Sequence, residues 1–212
     1  MTKLKNMFKD IAQNSDTGLP EVAAFFAQKY STIRLQESGE ADAVMNALDA
    51  LDPVRQSAVL SMPQAVEALA ANGKVVDVVD IIFTKLDRAQ QTAVLSAPDV
   101  VWNLVSHNMD EAVLSIIARL DGNQRAEVLS APHATWALMK NGPLVGQESI
   151  DRFNTVWNLF AGLDPAQQAR VLAAEGAAQV LANNGKADEV RRLQAATAGG
   201  RPSTPQTFRP GG

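Results

Sequence analysis

Histidine is the residue type in this sequence best suited to acid–base chemistry, and it occurs only at positions 107 and 133. Neither His107 nor His133 lies in a known catalytic or metal-binding motif. The chain has no cysteine, and it lacks a phosphate-binding glycine loop, a nucleophile elbow and paired metal-ligand spacing. We therefore expect a protein that is not an enzyme and that uses no cofactor or metal ion. A hydrolase whose activity depends on His133 stays open as an alternative.

Tryptophan offers a second kind of chemistry, because an indole combines a large apolar surface with an N–H donor and is favoured at binding hot spots. Trp102 and Trp136 occupy the same place in successive repeats of the sequence. Since packed helices stand about 8–10 Å apart, we expect the two indoles to be neighbours on one face. There they either contact a ligand or cover the core. Trp157, between Phe153 and Phe160, is expected in the core.

A pattern that occurs four times supplies the elements that position these residues. Leu51 to Pro63 reads LDPVRQSAVLSMP, and related segments begin at Leu86, Leu120 and Leu163. Recurrence at about 34 residues is typical of stacked helical units that cannot bury their apolar faces alone. The fold is therefore expected to be one-dimensional, with its function on repeated surfaces.

Each unit divides into three predicted helices. The first begins at a capping aspartate, and these residues are Asp52, Asp87, Asp121 and Asp164. The first helix ends at a serine, which we also expect to cap the second helix. We expect a proline in the first turn of the second helix. These serine and proline pairs are Ser61 and Pro63, Ser96 and Pro98, and Ser130 and Pro132. The second helix ends where a left-handed residue is expected, at Asn72-Gly73, His107-Asn108, Asn141-Gly142 and Asn184-Gly185. The third helix has an apolar face at helical spacing.

These units resemble α-solenoid repeats in the broad sense of ankyrin, armadillo and tetratricopeptide arrays. The stretches from Ala71 to Val79 and from Asn184 to Val190 look ankyrin-like in the turn between two helices, although the ankyrin Thr-Pro-Leu-His motif is missing. The resemblance covers roughly residues 20–196 and implies a binding scaffold without indicating its ligand. We predict an all-α fold, namely a right-handed α-solenoid of about 34-residue three-helix repeats with an N-terminal capping helix.

The expected domain organisation has three parts. Residues 1–19 form the capping helix, for which a membrane-surface helix is the alternative. Residues 197–212 form a flexible tail, because its many glycines and prolines and few apolar groups cannot offset the entropy of ordering. Phe208 and Arg209 in the tail are either solvated or a short docking element. The helical-repeat domain covers residues 20–196, with a degenerate unit at 20–50 and further units at 51–85, 86–119, 120–162 and 163–196.

One unit is longer than the others. The surplus falls at Pro143 to Ser149, where we expect a loop before the helix that contains Ile150. Insertions in repeat arrays often lie on the binding face. A tolerated surface extension is the alternative, since long loops cost little closure entropy.

The second helices have a constant face and a variable face. Six residues after the proline position every unit has a leucine, which predicts a core contact, at Leu69, Leu104, Leu138 and Leu181. The positions one, four and eight residues after it share another face and change chemistry from unit to unit. We name this face the variable stripe and predict that it binds a partner through Gln64, Glu67, Asp99, Trp102, Ser106, His133, Trp136, Lys140, Gln179 and Asn183.

Composition narrows the possible partners. The net charge of −4 does not favour neutralisation of phosphates, which supplies most nucleic-acid affinity. No apolar run is long enough to span a bilayer. We expect a soluble, cysteine-free adaptor, scaffold or bacterial effector that binds a protein or peptide, located in the cytoplasm or exported into a host cell. A repeat-based nucleic-acid-binding protein is the alternative, because repeat arrays can read one base per unit.

Overall fold

The computed structural model describes residues 6, 19–28, 30–62, 64–140 and 147–199. Within these ranges the chain is helical and has no strand, which confirms the all-α class predicted from the sequence. The capping helix expected in residues 1–19 lies outside the described residues, apart from residues 6 and 19. Residues 200–212 also lie outside them, and residues 197–199, which were expected in the tail, are helical instead. Alanine at positions 195, 196 and 198 favours this extension of the helix.

The helices follow one another with short connections. From residue 19 onward, three described helices precede the first clear repeat: α1 Leu19–Phe26, α2 Ser31–Ser38 and α3 Ala41–Asp49. The first helices of the four units are α4 Pro53–Leu60, α7 Arg88–Leu95, α10 Gly122–Leu129 and α13 Pro165–Ala173. The second helices are α5 Ala65–Ala71, α8 Val100–Ser106, α11 Ala134–Lys140 and α14 Ala177–Leu181. The third helices are α6 Val75–Asp80, which continues as a π-helical turn at Ile81–Lys85, α9 Asp110–Arg119, α12 Gln147–Ala161 and α15 Ala187–Gly199.

Helix α12 corrects the loop that was expected at Pro143 to Ser149. It begins at Gln147, so residues 147–149 are helical. Residues 141–146 lie outside the described part of the chain.

The first helices begin as their sequence predicts. The Asp87 carboxylate accepts a hydrogen bond from the Gln90 backbone N–H at 2.8 Å, and the Gln90 side chain accepts one from the Asp87 N–H at 3.0 Å. The same reciprocal pairs recur in the last two units. Asp52 accepts from the Arg55 backbone N–H without the reciprocal bond, and it also pairs with the Arg55 side chain at 3.3 Å. Each aspartate thus satisfies a donor that the helix itself leaves unpaired.

A polar side chain in each first helix joins it to the end of the preceding helix. The Gln91 amide donates to the carbonyls of Ile82 and Leu86, at 2.9 and 3.1 Å. Gln91 is buried, so this pairing satisfies carbonyls that have no helical partner. The side chains at the equivalent positions make the same kind of contact, and they are Gln56, Arg125 and Gln168. Nothing in the sequence analysis predicted these links.

The prediction that the second helices begin with a serine cap and a proline in the first turn is wrong. Ser61, Ser96 and Ser130 end the first helices but do not cap the second ones. Pro98 and Pro132 lie in the turn before the second helix, not in its first turn, and Pro63 is outside the described residues.

The turn itself explains the difference. The Ala134 N–H bonds to the Ala131 carbonyl at 3.1 Å across Pro132 and His133. Proline followed by a left-handed residue is the arrangement of a type II turn. The left-handed residues, with φ between 59° and 74°, are Gln64, Asp99, His133 and Gly176. They are the first positions of the variable stripe, so the backbone as well as any partner constrains them.

Successive units pack through equivalent helices. The first helices α4, α7, α10 and α13 contact one another in that order, and the second helices α5, α8, α11 and α14 do the same. The predicted leucines of the second helices, Leu69, Leu104, Leu138 and Leu181, have no exposed surface. This confirms the constant face. Trp157 is only half-buried, while its neighbour Phe160 lies within the core.

Charged side chains link the third helices. Lys74 and Lys85 pair with Asp42 and Asp49 respectively across α3 and α6. The Arg119 guanidinium lies 4.0 Å from the centre of the Phe83 ring. Further along, Arg152 pairs with Asp110 at 2.9 Å, and the Lys186 ammonium lies 4.7 Å from the centre of the Trp157 ring.

Candidate ligand-binding groove

The second helices and the turns before them enclose a groove of about 650 Å³. We name it the indole groove. Helices α5, α8 and α11 and the turn before α14 contribute to it, so residues from all four clear repeats meet there. Its lining residues are Glu67, Asp99, Trp102, Asn103, His133, Trp136, Glu175 and Gly176.

Two tryptophans form the apolar wall of the groove. The ring centroids of Trp102 and Trp136 are 4.9 Å apart and the rings are inclined by 33°. This distance arises because α8 packs directly on α11. Both indoles are half-buried and pack against the core. The two roles considered for them are therefore compatible, because each ring covers core residues and also lines the groove.

Two left-handed residues meet at one side of the groove. The Nδ1 atom of His133 lies 3.1 Å from a carboxylate oxygen of Asp99. Both side chains are about half exposed, at 49% and 55%. The contact becomes an ion pair when the imidazole is protonated. It joins the turn of one unit to the turn of the preceding unit.

The remaining wall is acidic. Glu67, Asp99 and Glu175 are exposed, and they come from three different units. The Asn103 amide donates to the carbonyl of Asp99, the residue just before its helix, at 2.9 Å. A groove with two indoles and three carboxylates presents an apolar surface bordered by negative charge.

Among the predicted residues of the variable stripe whose side chains the structure describes, four do not line this groove: Gln64, Ser106, Gln179 and Asn183. With its side-chain amide oriented so that the nitrogen faces them, Gln64 donates to the Phe26 and Gln28 carbonyls at 3.0 Å, and it thereby joins the start of α5 to the end of α1. Ser106 donates to the carbonyl of Asn103 at 2.9 Å. Gln179 and Asn183 contact each other at 2.7 Å on an exposed surface. The Lys140 side chain lies outside what the structure describes. Partner binding by these five residues stays a prediction.

The sequence analysis did not predict the lining residues Asn103 and Glu175, and it placed Gly176 on the variable stripe without including it among the binding residues. Asn103 follows Trp102 directly, and helical spacing places it beside the stripe. Glu175 and Gly176 stand at the central positions of the turn before α14, where the other units have the proline and the left-handed residue. Glu175 occupies the proline position of that turn, and aligning the turn across the four units is the signal that would have identified it.

His107 has a structural explanation. Its Nδ1 lies 2.8 Å from the carbonyl of Asn103, four residues earlier. At the equivalent helix ends Asn72 and Asn184 donate to the carbonyls four residues before them. The imidazole thus replaces an asparagine amide at a helix terminus.

The described residues lack two other features that would indicate a function. Among these residues no three or more His, Cys, Asp or Glu side chains come together in a way that would hold a metal ion. None of the helices described is both long enough and apolar enough to cross a bilayer. Comparison of the chain with protein-family models, curated proteins and solved structures gives no match.

Proposed function

We propose that this protein is a non-enzymatic interaction module that binds a segment of another protein in the indole groove. The observation that carries the proposal is the contact between Trp102 and Trp136, whose rings line the groove while packing on the core. Aromatic rings held in this way lose little conformational entropy on binding, and Trp is enriched among residues that dominate binding energy. Adaptors, scaffolds and bacterial effectors are the classes that fit, acting in the cytoplasm or after export into a host cell.

We further infer that the helices form a right-handed α-solenoid of about 34-residue three-helix repeats. The ordered contacts between equivalent helices support this architecture. In such an array the second helices lie side by side, so an extended segment that crosses them contacts several units in turn. The variable stripe then supplies a different side chain to each part of the segment.

A nucleic-acid reader is the alternative, since bases stack on tryptophan rings. The charge around the groove does not favour it. Glu67, Asp99 and Glu175 would repel phosphates, and the net charge of the chain is −4. A protein segment avoids this repulsion.

The test is selection of displayed random dodecapeptides on the full chain. The Trp102→Ala/Trp136→Ala double variant identifies peptides that need the groove. Trp157→Ala is the matched control, because Trp157 is also half-buried but contacts Lys186 on another part of the surface. We expect the selection to enrich peptides that bind the wild type and the Trp157→Ala control with equal affinity. The same peptides should bind the double variant more weakly.

Two results would contradict the proposal. One is that the selected peptides bind the double variant as tightly as the wild type. The other is that only single-stranded oligonucleotides bind, with an affinity that falls steeply as salt is raised. The second result would support the nucleic-acid alternative.

A further inference from the structure

We propose that the indole groove recognises an arginine side chain within the bound protein segment. This inference rests on the proposed function and adds the chemistry of the residue that enters the groove. It depends on the placement of the carboxylates around the two indoles.

Carboxylates from three units converge on the groove. Glu67 lies in α5, Asp99 in the turn before α8, and Glu175 in the turn before α14. All three are exposed, so their charge acts on a ligand that enters from solvent. Charge complementarity of this kind favours encounter with a cationic partner and disfavours an anionic one.

The combination of flat rings and carboxylates fits a guanidinium group. A guanidinium is planar, stacks on aromatic faces and donates two parallel hydrogen bonds to one carboxylate. A lysine ammonium carries the same charge but lacks the plane and the fork, and water binds it more strongly. The protein already contains such contacts within its own chain, since Arg119 lies over Phe83 and Arg34 over Phe25. The groove offers two indoles and carboxylates to an arginine from outside.

Another acidic cleft of the protein provides a comparison. Between α3 and α6 a cleft of about 440 Å³ is lined by Asp42, Met45, Asn46, Asp49, Lys74, Asp77 and Asp80. It matches the indole groove in negative charge but has no aromatic ring among these residues. Lys74 and Lys85 already pair with two of its aspartates. Neutralising carboxylates there therefore controls for a general effect of charge.

The experiment uses the peptides selected on the full chain and makes three measurements, the last two of them by titration with the intact protein. The first is the content of arginine, lysine, aspartate and glutamate in the sequences of the peptides that require Trp102 and Trp136. The second is the affinity of one such peptide for Glu67→Gln/Glu175→Gln and for the matched control Asp77→Asn/Asp80→Asn. The third is the effect of replacing each arginine of that peptide with lysine or glutamine.

We expect enrichment of arginine over lysine and depletion of acidic residues. Affinity should fall by about tenfold for the groove variant, as loss of partly exposed ion pairs implies, and by less than about twofold for the control. Replacing one arginine of the peptide with lysine should weaken binding, and glutamine should weaken it further.

The outcomes separate this inference from the proposed function. Peptides that require both tryptophans but contain no arginine, or that bind the two charge variants equally, would overturn the arginine assignment and leave the groove as a binding site. Peptides that do not require the tryptophans would overturn both. If no peptide is enriched on the wild type relative to the double tryptophan variant, the arginine assignment and the proposed function are both overturned.

Discussion

The ring of Trp102 lies 4.9 Å from the ring of Trp136, centroid to centroid, although the two residues belong to successive repeats. The contact forms because α8 and α11 pack together and carry tryptophan at the same position. The leucines two positions later, Leu104 and Leu138, point into the core and are fully buried. Two residues correspond to a rotation of about 200° around a helix axis, so each helix has a groove face and a core face.

This division predicts different costs for truncation. Leu104→Ala and Leu138→Ala should each lower the free energy of unfolding by about 2–5 kcal/mol, the usual cost of emptying a buried leucine site. Trp102→Ala and Trp136→Ala should cost less, because half-buried rings lose fewer core contacts. Urea unfolding of the four variants measures the difference. Equal costs for the tryptophan and leucine variants would show that the indoles are mainly core residues.

The left-handed conformation of the turns before the second helices predicts that adding a side chain at a glycine there lowers the free energy of unfolding. Gly176 has a φ of 74°, and a side chain there meets only the Trp136 ring, at 3.9 Å. Gly176→Ala should therefore destabilise the protein by about 1–2 kcal/mol through backbone strain and not through a clash. Glu175→Ala, on the preceding exposed position, should leave the free energy of unfolding nearly unchanged. A Gly176→Ala variant as stable as the wild type would show that the turn relaxes to another conformation.

The buried glutamines predict a cost for lost hydrogen bonds. Gln91→Leu keeps a side chain of similar size but leaves the carbonyls of Ile82 and Leu86 without their donor. We expect a loss of about 1–3 kcal/mol, as for other buried polar groups left unpaired. Arg88→Leu, at an exposed position of the same helix, serves as the control and should change stability little. Chemical denaturation decides the matter, and equal stability of the two variants would contradict the role given to Gln91.

We expect deletion of the C-terminal segment to have little effect on thermal stability. Removing residues 200–212, which follow α15, should leave the melting temperature nearly unchanged, because few apolar groups in this segment are available for burial. A thermal melt of the shortened chain tests this. A drop of several degrees would instead indicate that Phe208 and Arg209 dock on the helices.

Local patterns were enough to predict the all-helical fold and the caps of the first helices. Asp87 and Gln90 are three residues apart, and this spacing alone allows the reciprocal hydrogen bonds that start α7. Leu104 recurs at one position of every unit, and its apolar side chain has to be buried wherever that helix packs. Such features depend on chain segments of a single helix, so the sequence contains the information directly.

Contacts between units were decided only by the tertiary structure. Gln91 looked like an ordinary helix residue, and its burial followed from the position of the preceding helix end. Glu67 and Glu175 are far apart in the sequence, and no periodicity indicated that they border one groove. The sequence by itself determined where the first helices begin and which helix face is apolar, because hydrogen bonding and hydrophobic spacing act within a few residues. Packing of the units decided which polar side chains meet, because that depends on how separate helices are placed relative to one another.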